Sequence, residues 1–249
     1  MLGPVRQGAQ MFPIRDHNPS QRTPHVRNWL IGLNIGVFLL TWPGLGGLGW
    51  LWEWLALYPV AVVNGVRLHG LLTHMFVHAG ILHLAGNMLF LWVFGDNLED
   101  QMGHRGFLAF YLACGLAAAF GQIGADPASG IPMVGASGAI AGVMGGYLLL
   151  FPHARVDVVA IIFVIVRIFV IPAWVLLVAW FGVQLIQSLS MPGDGVAYIA
   201  HAAGFVAGVV LTLPLFILRG GPAFWARTQG RPPHRAAEYA PSRIPRVRR

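Results

Sequence analysis

Charged residues are scarce in this chain, and their scarcity excludes an ordinary soluble globular protein. Only 10% of the 249 residues are Asp, Glu, Lys or Arg, and the mean hydropathy is +0.66. Soluble domains carry about 25% charged residues. Several apolar runs approach the ~20 residues that cross a bilayer as a helix. Because irregular backbone cannot face lipid, the composition predicts an all-α membrane protein.

Lysine is absent and cysteine occurs once. The single Cys114 lies inside an apolar run, which excludes an intramolecular disulfide and a thiolate metal site. Arginine supplies the positive charge, with four residues in 1–27 and eight in 219–249. Arginines that flank membrane spans follow the positive-inside rule, so we expect no nucleic-acid partner. The first 27 residues show no apolar run or small-residue cleavage site, so no removable signal peptide is visible.

The apolar runs predict six spans and three regions of the chain. Residues 1–27 are expected to form a basic cytoplasmic tail, and residues 219–249 a disordered, arginine-rich cytoplasmic tail. With six spans both tails lie on one face, which the positive-inside rule makes the cytoplasmic one. We expect a multi-pass protein of a bacterial inner membrane. The six-span domain is residues 28–218, with spans at 28–42, 81–94, 106–124, 136–151, 168–189 and 196–218.

Two segments do not fit a simple span. Residues 158–166 are too short to cross a membrane and rich in β-branched residues, so we expect an extended interfacial stretch there. Between spans one and two, residues 48–63 are marginal in length and contain Trp50, Trp52 and Trp54. Tryptophan favours the headgroup region, which predicts an insertion in the outer leaflet. A plain aromatic-rich loop is the alternative.

Four polar residues lie at similar depth on three predicted helices. At a rise of 1.5 Å per residue, His83, Ser137 and His201 lie about 18, 21 and 27 Å from the cytoplasmic ends of their spans. Asn87 follows His83 by one helical turn, on the same face. Singly, such residues often serve only to join helices. Together they suggest a functional site, because ionisable groups inside a membrane are costly.

Glycines repeat every four residues in two of these spans. Gly138, Gly142 and Gly146 follow Ser137, and Gly204 and Gly208 follow His201. Such stripes let two helix backbones approach closely, with or without chemistry. If the stripes face each other, the serine hydroxyl and the imidazole meet within hydrogen-bond distance.

Three motifs in this order resemble the rhomboid family of intramembrane serine proteases. They are HMFVHAGILHLAGNMLFLWVFGDNLEDQMGHRGF (74–107), GASGAIAG (135–142) and AHAAGFVAG (200–208). The resemblance implies a Ser137–His201 dyad, with Ser137 as nucleophile and His201 as general base and then acid. It also implies that His83, Asn87 and Gly135 bind the oxyanion or substrate. It implies no metal and no cofactor.

For such a protein the partners would be the lipid bilayer and membrane-protein substrates cut in or next to their transmembrane segments. Glu53, Asp126 and Asp194 lie in predicted loops, so a dyad fits the composition better than a triad with an acid. Some family members carry an aromatic residue that packs on the histidine where this chain has Ala141. A residue of span two or five is expected to hold the His201 ring instead. The first loop lacks the Trp-Arg pair of some members, and the oligomeric state stays open.

Three alternatives stay open at this point. A catalytically dead relative would bind membrane proteins without cutting them, although such relatives generally lack the serine or the histidine. A metal or haem protein is suggested by His69, His74, His78 and His83, of which His74 and His78 have i,i+4 spacing. A transporter would also use glycine-rich helices and polar residues at mid-depth, although no internal repeat is evident.

Overall fold

The computed structural model describes residues 10–233, apart from positions 19, 43, 45, 163–164 and 191–196. Helices dominate this part of the chain, and a 3₁₀ turn at His74–Phe76 precedes α5. The helices are α1 (His25–Thr41), α2 (Gly49–Leu55), α3 (Pro59–Val63), α4 (Gly70–Thr73), α5 (Ile81–Ala125), α6 (Ser137–Leu150), α7 (Ala173–Ser190), α8 (Tyr198–Leu218) and α9 (Pro222–Thr228).

Helix α5 contains both predicted spans two and three. It is interrupted at Gly103, where φ is 72° and ψ is 164°. This left-handed φ favours glycine, because a side chain there would strain the backbone. The interruption divides α5 into two legs, one on each side of Gly103.

Among the described residues, two helices are long and apolar enough to cross a membrane, α5 and α8. The apolar helices α6 and α7 are shorter. Helix α6 lies at the centre of the protein, where it packs against α8 and α5. Eleven of its 14 residues are buried, and the glycines and alanines on it allow this close packing.

A three-stranded sheet corrects the expectation of an all-α fold. Strands β1 (Gln10–Asp16), β2 (Arg155–Ile162) and β3 (Ile165–Pro172) pair antiparallel in the order β1-β2-β3. Pro13 lies opposite Val158, and Val158 opposite Phe169. Residues 158–162 are therefore extended as expected. They are extended because their β-branched residues pair with strands on both sides.

Strand β3 also corrects the start of the fifth span. Helix α7 begins at Ala173 and not at position 168, because residues 165–172 pair with β2. Apolarity alone does not distinguish a strand from the first turns of a helix. Positions 191–196 lie outside the described residues; they hold most of the predicted loop between spans five and six and the first residue of span six.

The segment that precedes α1 is docked on α5, although a tail was expected. Asp96 accepts a hydrogen bond from the backbone N–H of Ser20 at 3.1 Å. Glu99 accepts from the N–H groups of Val26 and Arg27 at 2.9 and 2.8 Å. Glu99 thus satisfies two amides in the first turn of α1 that have no intrahelical acceptor, and Asp96 holds the segment before the helix.

Part of the predicted C-terminal tail is also folded. Residues Pro222–Thr228 form α9, and Trp225 donates its indole N–H to the carbonyl of Leu149 at 3.0 Å. The expectation of disorder is therefore wrong for α9. Residues 234–249, with the last arginines, lie outside the described residues.

Residues 48–63, the region expected as an outer-leaflet insertion, contain the short helices α2 and α3, and the short helix α4 follows them. Trp50 and Trp54 of α2 are 65% and 50% exposed. Trp52 instead donates its indole N–H to the carbonyl of His78 at 3.1 Å, which ties α2 to the segment before α5.

Candidate active site

Ser137 is the first residue of α6, and the backbone before it has an unusual shape. Gly135 has a φ of 120°, a region that only glycine enters without strain. The chain turns there so that Ser137 begins the helix. The first amides of a helix have no intrahelical acceptor, so N–H groups at this end can bind a negative charge.

Ser137 and His201 are in direct contact. The distance from His201 Nε2 to Ser137 Oγ is 2.7 Å, which is a hydrogen bond between residues 64 positions apart. His201 lies in the first turn of α8, and its backbone N–H donates to the carbonyl of Ala197. Both side chains therefore come from helix starts on the same side of the protein.

The glycine stripes explain how the two helices come close enough for this contact. A Cβ added to Gly204 would collide with the carbonyl of Gly138, and one added to Gly208 with the carbonyl of Gly142. The stripes therefore face each other, with backbone against backbone. Gly146 lies one turn further and is close to Thr212 of α8.

Helix α7 supplies two contacts to the His201 ring. Gln184 Oε1 lies 2.7 Å from His201 Nδ1. The ring of Trp180 lies 5.9 Å from the imidazole, with a tilt of 39° between the planes. Helix α7, which corresponds to the fifth predicted span, thus holds the His201 ring. Ala141 has no aromatic side chain to take this role. Sequence reasoning missed both residues, although Gln184 stands out as an amide within an apolar helix.

The Gln184 contact bears on the proton of the imidazole. With Oε1 facing the ring, the amide oxygen accepts a hydrogen bond, and this arrangement favours the tautomer with the proton on Nδ1. Nε2 of a neutral imidazole is then an acceptor, and the Ser137 hydroxyl donates to it. A histidine in this state can take the serine proton.

His83 lies beside Gly135 at the same site. A Cβ on Gly135 would be 2.7 Å from His83 Nε2 and 3.6 Å from Ser137 Oγ. The absence of a side chain at Gly135 thus leaves room for the His83 ring. The N–H of Gly135 donates to the carbonyl of His74 at 2.9 Å, so it is already engaged.

Asn87 follows His83 by one turn on α5 and is only 7% exposed. Its amide nitrogen has no hydrogen-bond partner among the described residues. A buried donor without an acceptor is costly and is retained for a reason. An oxygen that becomes negative during a reaction would satisfy it.

A cavity of about 550 Å³ lies next to Ser137, and Asn87 does not line it. Ser137, His201 and His83 line it, together with Trp52 and Met133. Polar groups at Gln122, Asp126 and Ser129 also line the cavity, so it has both an apolar and a polar wall.

The four histidines that suggested a metal do not converge. His69 Nε2 contacts the carbonyl of Trp54, and His74 Nδ1 contacts the carbonyl of Gly70. His78 and His83 meet edge to face, with ring centroids 5.1 Å apart. Within residues 10–233 as described, no group of three or more His, Cys, Asp or Glu side chains could hold a metal ion.

Comparison with known proteins gives a family match over most of the folded region. The model of the rhomboid domain matches residues 66–218, which include Ser137, His201, His83 and Asn87. The match runs from the segment before α4 to the end of α8.

Similar proteins carry the same family name. The mitochondrial rhomboid protein 1 of Saccharomyces cerevisiae is 30% identical over 193 residues, which are 73% of this chain and 50% of the yeast protein. The rhomboid-related protein 2 of Mus musculus is 36% identical over 62% of this chain and 52% of its own length. The rhomboid protease GluP of Bacillus subtilis is 45% identical over 31% of this chain and 15% of its own.

The chain spans about half the length of the yeast and mouse relatives. Rhomboid proteins are membrane-embedded, and relatives named as proteases are among the similar proteins. The domain match covers more than half of the chain, and it includes the helices that bring the serine and the histidine together. The protein therefore belongs to the rhomboid family.

Proposed function

We propose that the protein is an intramembrane serine endopeptidase that uses Ser137 and His201 as a dyad. The observation that carries the proposal is the 2.7 Å contact between Ser137 Oγ and His201 Nε2 beside a cavity. A catalytically dead relative would not need this hydrogen bond. A transporter would not need it either.

The reaction begins when Ser137 Oγ attacks the scissile carbonyl carbon and His201 Nε2 takes the hydroxyl proton. The carbonyl electron pair moves to oxygen and gives a tetrahedral oxyanion. His201 then gives its proton to the amine nitrogen as the C–N bond breaks. Water repeats the sequence on the acyl-serine and releases the carboxyl product.

Donors around the Ser137 hydroxyl stabilise the oxyanion. The unpartnered Nδ2 of Asn87 is one, the His83 ring is a second, and the Ser137 N–H at the start of α6 is a third. Donors held in place before the reaction need no reorganisation when the charge forms, and each is worth about 3–4 kcal/mol in other serine proteases. Gly135 has no side chain and therefore leaves space beside His83 and Ser137.

The proposed substrate is a transmembrane segment of another protein, reached from the bilayer. Its helix must unwind locally before a carbonyl can reach Ser137, since the backbone groups of a membrane helix are all hydrogen-bonded. Glycine or proline near the scissile bond should therefore promote cleavage, and a leucine-rich replacement should suppress it.

The test incubates purified protein in liposomes with a single-span substrate. Wild type is compared with Ser137→Ala and His201→Ala, and each enzyme meets a glycine-containing and a leucine-rich substrate. We expect cleavage by wild type, loss of at least about 10³-fold in both variants, and a preference for the glycine-containing substrate. Equal product from wild type and Ser137→Ala would end the proposal, whereas equal cutting of both substrates would remove only the unwinding requirement.

We also propose six spans in a bacterial inner membrane, with both ends cytoplasmic and α2 to α4 in the outer leaflet. The arginines near both ends support this orientation through the positive-inside rule. Reporter enzymes fused to each end, active only on one side of the membrane, measure the orientation. A terminal reporter that is active outside the cell would contradict it.

A further inference from the structure

We propose that Gln184 is a positioning residue that holds His201 in the tautomer and orientation needed to accept the Ser137 proton. The inference rests on the proposed function and adds a third residue, Gln184, to the dyad of Ser137 and His201. This member is a neutral amide on α7, at the place where a carboxylate stands in an acid-containing triad.

The geometry places Gln184 on the far side of the imidazole from the serine. Its Oε1 lies 2.7 Å from Nδ1, while Ser137 Oγ lies 2.7 Å from Nε2. Gln184 is 8% exposed, so water cannot readily take its place. The three side chains form one hydrogen-bonded chain across α7, α8 and α6.

This contact matters because a neutral imidazole has two tautomers. With the proton on Nε2 the ring would donate to the serine oxygen and could not take its proton. An acceptor on Nδ1 favours the productive tautomer, and the loss of the correct tautomer costs about 10⁴-fold in kcat in the well-studied serine protease triad.

An amide suits this place better than a carboxylate. A carboxylate buried in an apolar setting is costly unless it is paired. Gln184 supplies the same acceptor without a charge. Trp180, on the same face of α7 one turn before Gln184, lies beside the ring and limits its rotation.

The test uses Gln184→Leu, Gln184→Glu and the control Gln187→Leu, which makes the same change less than one turn further along α7. Steady-state cleavage in liposomes gives kcat and KM, and thermal unfolding gives stability. We expect Gln184→Leu to lower kcat at least about tenfold, with KM little changed and only a modest fall in the unfolding temperature from the lost hydrogen bond to Nδ1. Gln184→Glu should keep most of the activity, since its carboxylate accepts the same hydrogen bond, and Gln187→Leu should match wild type.

The pH profile separates a positioning role from a packing role. The groups that face His201 are His83 of α5, Ser137 of α6, and Gln184 and Trp180 of α7, and Asp126 lines the same cavity. None of these groups places a negative charge next to His201 Nδ1 in the wild type. A glutamate at 184 would stabilise the imidazolium, so the acidic limb of the kcat profile should move to higher pH in Gln184→Glu.

A measurement that does not depend on proteolysis keeps this inference apart from the proposed function. The ¹⁵N shifts of labelled histidine report which ring nitrogen carries the proton, and the His201→Ala spectrum identifies the signal. We expect the Nδ1–H form in wild type and a mixture of tautomers in Gln184→Leu. The Nε2–H form in wild type, or an unchanged tautomer and kcat in Gln184→Leu, would overturn the inference. An inactive wild type with the expected shifts would overturn only the proposed protease function.

Discussion

Gly135 and Asn87 show how strongly the candidate site depends on single side chains. Gly135 combines a φ of 120° with space for only a hydrogen beside the His83 ring. Asn87 keeps a buried donor without a partner among the described residues. Neither feature improves stability; Gly135 lies next to Ser137, and Asn87 lies one turn after His83 on α5. This combination is expected where a structure serves a reaction rather than its own stability.

The unpartnered amide of Asn87 leads to a prediction that separates activity from stability. Asn87→Leu keeps the branched shape and removes a buried, unsatisfied donor, but leucine is larger than asparagine, so the free energy of unfolding should fall by no more than about 1–3 kcal/mol. The lost oxyanion donor should lower kcat by about 10²–10³-fold with little change in KM. Cleavage kinetics and thermal unfolding of the same preparation check both parts. Wild-type kcat in a folded Asn87→Leu protein would remove Asn87 from the oxyanion site.

At the site itself, the sequence led to the contact between Ser137 and His201 and to the nearby His83, but not to every contact of the His201 ring. Depth counting and the glycine stripes predicted that Ser137, His201, His83 and Asn87 lie together, because helix rise and periodicity are regular, and for Asn87 this stays a prediction. Gln184 and Trp180 were not found, since the rotation of α7 about its axis depends on packing that no local pattern encodes. Gly135 was chosen by resemblance, and the structure adds the reason that a side chain there would meet His83.

Between helices, the packing of α6 on α8 sets the distance from Ser137 to His201. Gly208 lies against the carbonyl of Gly142, and Gly204 against that of Gly138. A backbone carbonyl cannot rotate away as a flexible side chain can. The helices would therefore have to separate to admit even one methyl group, and the catalytic contact would lengthen with them.

Gly208→Ala tests this dependence. We expect destabilisation of about 1–3 kcal/mol from overpacking, together with a large loss of activity, although residue 208 is two turns from His201. Gly36→Ala on α1 is the matched control, because a Cβ there meets nothing within 4 Å and alanine is the better helix former. Thermal unfolding and cleavage rates are measured on both variants. A Gly208→Ala protein as stable and active as Gly36→Ala would contradict the close packing of α6 and α8.

The elements themselves were predicted unevenly. The helices at spans one, four and six begin and end close to the predicted bounds, because long apolar runs leave few alternatives. The pairing of β1 with β2 was missed because the two strands lie about 140 positions apart, as the hydrogen bond between Arg15 and Asp157 shows. Pairing over such a distance has no local signature. The same holds for the docking of α9 on the end of α6.

Across the protein, the N-terminal segment is tied to two of the core helices, α5 and α6. Asp16, at the end of β1, accepts hydrogen bonds from Asn97 of α5 at 2.5 Å and from Tyr147 of α6 at 3.1 Å. Tyr147 lies on the helix that begins with Ser137. Burial, and then the neighbouring Asp96 carboxylate, raises the pKa of Asp16 from 3.8 to about 7.

This raised pKa predicts a pH dependence of stability. The folded protein binds the Asp16 proton more tightly than the unfolded chain does, so the stabilisation is complete below about pH 4 and is lost as the pH rises to about 7. Wild type should unfold at a lower temperature at pH 8 than at pH 5, and Asp16→Asn should show a smaller difference. Asp126→Asn, at the exposed end of α5, is the control. An equal pH dependence in wild type and Asp16→Asn would contradict the assignment.

The central claim, that Ser137 is a nucleophile activated by His201, is tested most directly by a fluorophosphonate that labels activated serines. The protein in liposomes is treated with the reagent, digested and analysed by mass spectrometry. We predict one phosphonylated serine, Ser137, and a labelling rate at least about 10²-fold lower in His201→Ala, because the hydroxyl then has no base. An unlabelled Ser137 in folded wild-type protein, or equal labelling in His201→Ala, would contradict the claim.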